Sequence, residues 1–425
     1  MRLCRLAKGS PIIPALLIVL ILAVRGHASP KIVVIDATGN IDGTRQAAAI
    51  FTEKTGIEVE AIATTWNEFE TRIRTMIAGG LPFDVFRVDQ ARAYQSMALG
   101  FSMPLNQFIE RDGFDTRAFP EPVIYYWAYE PLGDLYSIPY ELSSTVLWYS
   151  ANHFREAGLD LLPHEWNHPD LQWDHFVNVA KRLTRDVNGD GIVDRYGLAY
   201  PSGWGWLYVG IWGQQWVDPR TNRFLGATPE LVNAINKWME LSLVHGVTPR
   251  WGEHQGVEAS MSIGQTPGLF AADPAGYGLK VAPMPWGTQS AMQGGINGWA
   301  ISKTSQNPDA AWEFIKFFTA GEGVLHWSRL RSGTSPVVHR DYYADWATEF
   351  QQRFSLTSAD VETILAGSAY FWDVPILVSP AWSQIQPLFY DALQAVATGA
   401  KEAAQAFAEI EGAVNGHLAA QPFRW

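Results

Sequence analysis

Residues 164–168 read His164-Glu165-Trp166-Asn167-His168. Two histidines four apart, with a glutamate after the first, are the elements of a zinc hydrolase. On one continuous helix both imidazoles would face a metal and the glutamate would activate water. Continuity is what fails. Pro163 suits a helix start, but Pro169 biases His168 itself away from the α region. No third ligand stands at the spacing of the extended zinc motif. The string is expected to be a proline-bounded loop. A second metal-like string is "DVNGDGIVD", 186–194. Asp186, Asn188 and Asp190 hold positions 1, 3 and 5 of a calcium loop, and Gly191 holds position 6. The Ile192 carbonyl falls at position 7 and Asp194 at position 9. Position 12 is Gly197, where a bidentate glutamate belongs. Two readings stand: a structural calcium site, or a turn built from Asx–Gly chemistry.

The remaining chemistry is that of binding. The chain has 19 Trp, 15 Tyr and 21 Phe. Most must be core, because large rings carry the largest apolar burial. Several tryptophans, however, sit among Gly, Pro and Asp: "SGWGWLY" (202–208), "APMPWG" (282–287), "NGWA" (297–300) and "YFWDVP" (370–375). Indoles in such loops suit flat apolar platforms. A solute with flat apolar faces and hydroxyl edges would need those platforms together with carboxylates, amides or guanidinium groups. A hydroxyl bonded to a charged partner contributes roughly 1.5–3 kcal/mol net. Burying ~100 Å² of apolar face adds about 2.5 kcal/mol. Two or three such pairs give micromolar binding after ordering costs.

Those residues must be positioned by α/β elements. "KIVVI" (31–35) reads as a buried strand, and "TRQAAAIFTEKTG" as an amphipathic helix ended by Gly56. "IEVEAIAT" (57–64) alternates as a strand. "WNEFETRIRTMIAGG" (66–80) is a helix stopped by a Gly pair, and "FDVFRVD" (83–89) is a third strand. That order predicts a parallel sheet, with ligand at the carboxyl ends of its strands, near Asp36–Asn40 and Asp89. "GDLYSIPYELSSTVLWYS" (133–150) predicts strands bent at Pro139. Helices are expected at 173–186, 229–245, 308–320, 341–353, 358–366 and 382–418, the last broken at Pro387. No internal repeat, low-complexity stretch or long polar linker divides the chain.

Residues 1–28 have the form of a secretory signal: Arg2, Arg5 and Lys8, an apolar run of 14 at 11–24, then Gly26 and Ala28 at a cleavage site. The run is shorter than a spanning helix needs. The single cysteine, Cys4, lies within it, so the expected mature chain has no disulfide and no lipid-bearing cysteine. Removing Arg2, Arg5, Lys8 and Arg25 takes the formal charge from −12 to −16. That charge argues against nucleic acid or anionic lipid as partner. About 397 residues would remain, too many for one ordinary core and suited to two lobes.

At this point the chain resembles the extracellular solute-binding proteins of ABC importers, in the carbohydrate-binding group typified by maltose-binding protein. "FTEKTGIEVE" (51–60), "IAGGLPFDVFRVD" (77–89) and "YSIPYELSSTVLWYSANHFREAGL" (136–159) match family segments in order. So do "APMPWG…GGINGWAISKTSQNPDAAWEFIKFFTAGEG" (282–323) and "SGTSPV" (332–337). Ser150 stands where the family has Asn. "MSIGQTPGLF" (261–270) fits the family's Gly-x-x-Ala-Met helix poorly. The resemblance implies a type II periplasmic-binding-protein fold: lobe 1 at 30–141 plus 300–332, lobe 2 at 142–299 plus 333–425, several crossings, and a cleft that closes by hinge motion. It also implies that loops like 186–194 recur in the family, sometimes with calcium.

Candidate ligand contacts follow, each beside a plainer role. They are Asn40 (or a turn residue), Trp66 (or core), Asp89 (or a helix cap) and Glu141 at the first crossing (or a hinge salt bridge). Trp204 and Trp206 lie in a Gly-rich loop. Gly294 and Gly295 would let backbone approach ligand, or make a tight turn. Trp299 is a contact or packs the second crossing. Arg331 precedes the last crossing. Trp372 and Asp373 match a region that often supplies an aromatic platform. No catalytic residue and no required cofactor are expected. The reading is a monomeric periplasmic protein delivering an oligosaccharide or glycoside to an ABC permease. A binder of glycerol-phosphate esters is the alternative, followed by a secreted carbohydrate hydrolase acting through paired carboxylates.

Overall fold

A computed structural model gives the architecture. It describes residues 30–65, 68–89, 96–97, 99–124, 128–129, 133–200, 205–253, 257–330, 336–372, 374, 376 and 379–420. Thirteen strands occur among them. They are β1 Lys31–Ala37, β2 Glu58–Thr64, β3 Val85–Asp89, β4 Ala128–Tyr129, β5 Asp134–Leu135, β6 Ile138–Ser144 and β7 Val146–Ser150, then β8 Arg195–Leu198, β9 Val217–Asp218, β10 Arg223–Phe224, β11 Glu258–Gly264, β12 Leu279–Ala282 and β13 Gly294–Ile301. The expected two-lobe α/β fold is present.

Lobe 1 is built on a five-stranded sheet in the order β2-β1-β3-β13-β6. β1 pairs in parallel with β2 and β3, as the strand–helix–strand reading requires. β13 enters antiparallel between β3 and β6. Helix Ile41–Thr55 follows β1 and ends at Gly56, whose φ of 74° is the left-handed conformation glycine adopts without strain. Phe51 of this helix packs edge-on against Phe314 of helix Pro308–Ala320. Lobe 2 is built on a four-stranded sheet in the order β12-β7-β11-β8. Helix Trp173–Leu183 covers it, with Trp173, Phe176, Val177, Ala180 and Leu183 on its buried side.

The lobes join through strands. β6 lies wholly in the lobe 1 sheet and β7 wholly in the lobe 2 sheet, with only Thr145 between them. The lobe boundaries drawn from the sequence at 141 and 300 therefore fall inside single strands. Pro139 does mark an irregularity: the β13–β6 register slips between Asn297 and Gly298, opposite it. A third segment returns beside β6, where Leu142 N–H donates to the Pro336 carbonyl and Val337 bridges Glu141. Pro387 does not break the last helical stretch. It lies inside helix Trp382–Ala397, and the break comes at Gly399, at φ 73°, before helix Ala403–Ala420. One missing N–H is tolerated because Ile385, Phe389 and Leu393 of that helix are fully buried.

Candidate functional site

The carboxyl ends of β1 and β3 and the facing part of β6 and β13 carry a buried polar group. Arg87, in the middle of β3, is 1% exposed. Its Nη2 donates to Glu141 Oε1 at 3.2 Å, and its Nη1 lies 3.6 Å from Asp36 Oδ1. Its guanidinium also sits over the Tyr140 ring, 5.7 Å from the centroid. Asn297 Nδ2 donates to the same Glu141 oxygen at 2.7 Å. Asp36 accepts from its neighbour Ala37 N–H at 2.7 Å and from Thr44 Oγ1 at 2.6 Å. Burial disfavours the Arg87 charge, but Tyr140, Asp36, Glu141 and Asp89 outweigh it and hold its pKa above the ordinary value. Asn40 caps helix Ile41–Thr55 through its backbone alone, with its side chain buried and free of a cap bond. Asp89 ends β3, half-buried, opposite Asn297.

The β6–β13 ribbon leads from there toward lobe 2. Gly294 pairs with Ser144, Gly295 with Ser143, Ile296 with Leu142 and Asn297 with Glu141. Side chains alternate along a strand and directly paired residues share a face. One face therefore carries Glu141, Ser143, Gly295 and Asn297. The other carries Leu142, Ile296 and Gly294. A Cβ at Gly294 would meet Leu142 Cδ1 at 2.8 Å, the Ser143 carbonyl at 3.0 Å and Phe371 Cε2 at 3.3 Å. A Cβ at Gly295 would meet the Gln265 carboxamide at 3.3 Å. Close packing of the crossing requires a glycine at 294, whereas at 295 only the movable end of the Gln265 side chain stands close.

Beyond the ribbon, three segments of lobe 2 converge. Met292 N–H donates to the Tyr370 carbonyl at 2.7 Å, and Trp372 N–H to the Met292 carbonyl at 2.8 Å. The half-buried Trp372 indole lies against Gly210, so close that a Cβ there would strike its ring. Gly210 belongs to the 3-10 segment Gly205–Trp212. Gln289 Nε2 donates to the Gly210 carbonyl at 2.9 Å, joining this segment to the 286–293 loop.

The expected contacts thus separate. Asn40, Asp89 and Glu141 lie in lobe 1, Gly294 and Gly295 on the ribbon, and Trp372 in lobe 2. Trp299 is fully buried in the lobe 1 core, stacked on Tyr140 at 5.5 Å and edge-on to Phe314 and Phe318. It takes the packing role, because every face of its ring is covered by protein. Trp66, Trp204, Arg331 and Asp373 lie outside the described residues, as does the side chain of Trp206. Arg87 and Asn297 escaped the sequence reading. The signal for Arg87 was a charge inside the apolar strand "FDVFRVD". Asn297 carried none.

The zinc-like string is not a helix, and the 186–194 loop is a turn closed by its own side-chain-to-amide bonds. His168 adopts φ −63°, ψ 138°, the extended geometry its proline requires, and Asn167 is left-handed at φ 65°. Trp166 is buried, stacked on Tyr370 at 4.7 Å, with its Nε1 donating to the Thr363 carbonyl. His164 Nε2 lies 3.2 Å from Asp360 Oδ1. In the 186–194 loop Asp186 accepts from the Gly189 and Gly191 amides, and Asp194 from those of Val187 and Asn188. Asn188 and Asp190 accept from the amides of Asp190 and Ile192. These bonds hold Asp186 below the usual carboxylate range, the Gly191 amide most of all. Among the described residues no three His, Cys, Asp or Glu side chains are placed to hold a metal ion. None of the described helices is long and apolar enough to cross a membrane.

The erythritol/L-threitol-binding protein of Mycolicibacterium smegmatis is 23% identical over 313 residues, 64% of this chain and 63% of that protein. The sn-glycerol-3-phosphate-binding periplasmic protein UgpB of Escherichia coli K12 is 24% identical over 254 residues, 54% of this chain and 55% of that protein. The match thus spans 55 to 63% of the length of these curated relatives. Likeness in structure runs further. The ABC substrate-binding protein Lmo0181 of Listeria monocytogenes, solved with cycloalternan, superposes at a TM-score of 0.74 with 20% identity, over 92% of this chain and 99% of that one. Residues 38–324 match the model of one family across both sheets, and the chain belongs to it: it is a bacterial extracellular solute-binding protein.

Proposed function

We propose that this protein captures a sugar, an oligosaccharide or glycoside, between its lobes and delivers it to an ABC permease. The observation that carries the reading is the pairing of two surfaces. A half-buried indole, Trp372, stands in lobe 2 where the crossing ribbon ends. The ribbon itself buries a row of polar side chains, among them Glu141, Ser143 and Asn297. An amphipathic solute with apolar C–H faces and hydroxyl edges matches that combination. Asn40 and Asp89 of lobe 1 are proposed as further hydroxyl partners, and Gly295, on the polar face of the ribbon, as the point where backbone approaches the solute, with Gly294 packing the face behind it. The names of the erythritol/L-threitol-binding relative and of the cycloalternan complex support a polyhydroxylated solute. Export through the N-terminal signal into the periplasm belongs to the same proposal.

A second reading, a glycerol-phosphate ester, is favoured by the resemblance to UgpB. Titration of intrinsic tryptophan fluorescence with maltose, erythritol and glycerol 3-phosphate separates the two. The sugar reading expects saturable change with maltose or erythritol. Tight binding of glycerol 3-phosphate alone would replace it.

A further inference from the structure

Gln293 precedes the Gly294–Gly295 pair and is only 7% exposed. It stands immediately before β13, whose polar face carries Gly295 and Asn297 beside Ser143 and Glu141 of β6. Its carboxamide oxygen is buried and has no hydrogen-bond partner. Leaving such an acceptor unsatisfied is costly, and most buried polar atoms avoid it. The backbone on either side of it is held in place. On one side Met292 is bonded through its backbone to both Tyr370 and Trp372. On the other, Gly294 begins β13.

Two more unpartnered atoms lie in the same three-segment assembly. Ser290 Oγ is buried without a partner, and so is Trp212 Nε1. Trp212 lies against Gly287 of the same loop, so close that a Cβ at 287 would clash with its ring. The set is mixed: one acceptor, one hydroxyl that can give or take, and one N–H donor. A solute hydroxyl is itself both donor and acceptor. A phosphate oxygen is an acceptor only, so a phosphate ester could satisfy the Gln293 oxygen only through its hydroxyls.

We propose that Gln293, next in the chain to the Met292 that bonds the Trp372 backbone, is a specificity-determining ligand residue whose carboxamide oxygen accepts a hydrogen bond from a hydroxyl of the bound solute. This rests on the polyhydroxylated-solute reading and adds the residue that selects for a hydroxyl. The unsatisfied acceptor is held ready in the solute-free protein and is satisfied on loading.

The test is Gln293→Met, which keeps length and removes the acceptor. It is measured by fluorescence titration with maltose, erythritol and glycerol 3-phosphate, and by thermal melting of the solute-free protein. The expected result is about tenfold or more weaker binding of whichever of maltose or erythritol the wild type takes. The melting temperature should be unchanged or higher, because the variant no longer buries an unpaired oxygen. That split marks a binding residue; a structural one would lower the melting temperature instead. Unaltered sugar affinity in Gln293→Met would overturn the role of Gln293 and leave the sugar reading standing. Wild-type binding of glycerol 3-phosphate alone would overturn the sugar reading. Gln293→Met would then be scored on that compound's own hydroxyls, unchanged affinity again overturning the contact. Wild-type binding of none of the three would overturn both.

Discussion

Arg87 Nη2 reaches Glu141 Oε1 at 3.2 Å although an entire strand, β13, lies between them. Two strand spacings are roughly 9.5 Å, a span only a long cation covers. The contact ties the lobe 1 sheet to the residue where the crossings meet. Glu141 belongs to β6, is bonded by Asn297 of β13 and is bridged by Val337 of the third crossing.

Removing one partner of a buried ion pair leaves the other charge uncompensated, which costs about 3–5 kcal/mol. Arg87→Met is therefore expected to lower unfolding stability in urea by that order. Arg87→Met with Glu141→Gln should recover part of the loss, because a neutral amide still accepts from Asn297. An unshifted midpoint in the single variant would show that the pair is dispensable.

Stability should also follow pH through His153. The residue is 8% exposed, with Nδ1 3.2 Å from Ser260 Oγ. Burial, aided by the positive charge of Arg195 and opposed by Glu156, pushes its pKa from 6.5 down to about 4. Between those values the unfolded chain binds the extra proton and the folded chain does not. Stability is thus fully present above about pH 6.5 and declines as pH falls toward about 4. The largest difference is about 3 kcal/mol. His153→Phe should flatten this part of the urea-midpoint profile relative to wild type. Parallel profiles for the two proteins would sink the assignment, even though carboxylates add their own slope.

Local signals read well where the physics is local. Gly56 ends its helix at the expected residue. Helices Pro308–Ala320 and Ser358–Ala366 start and stop as expected, the first with Pro at its first turn and the second with a Thr357–Asp360 capping box. The site is a different case. Asn297 gains its meaning from pairing with β6, 156 residues earlier, and Arg87 from a neighbour 54 residues away. No window of sequence contains those contacts. Pro387 misled for a related reason, since tertiary burial of its helix overrides the local penalty.

The histidine string can be tested as packing. His164 bonds Asp360, and the His168 side chain accepts from Asp170 N–H. The double variant His164→Ala, His168→Ala should lose about 1 kcal/mol of stability. Its solute affinity and zinc content should equal those of wild type. One zinc per wild-type chain, absent from the variant, would restore the metal reading.

The 186–194 loop is closed by its own amides, with Asp194 alone accepting from Val187 N–H, Asn188 N–H and Asn188 Nδ2. Asp194→Ala should open it, seen as faster proteolytic nicking at 186–194 and a modest fall in melting temperature. Chelation by EDTA should leave the wild-type melting temperature unchanged. A calcium-dependent rise would show that an ion completes the loop.

Gly210 offers a way to move Trp372 without deleting it. A Cβ at 210 would run into Cδ1, Cγ and Nε1 of the indole. The backbone nitrogen of Trp372 is fixed by its bond to Met292, so the ring has to rotate. Gly210→Ala should therefore shift the tryptophan emission of the solute-free protein and weaken binding of the sugar that wild type takes. Trp372→Ala should weaken it by at least as much, since loss of ~100 Å² of apolar contact removes about 2.5 kcal/mol. Equal affinity for all three proteins would place the sugar away from Trp372 and require another aromatic platform.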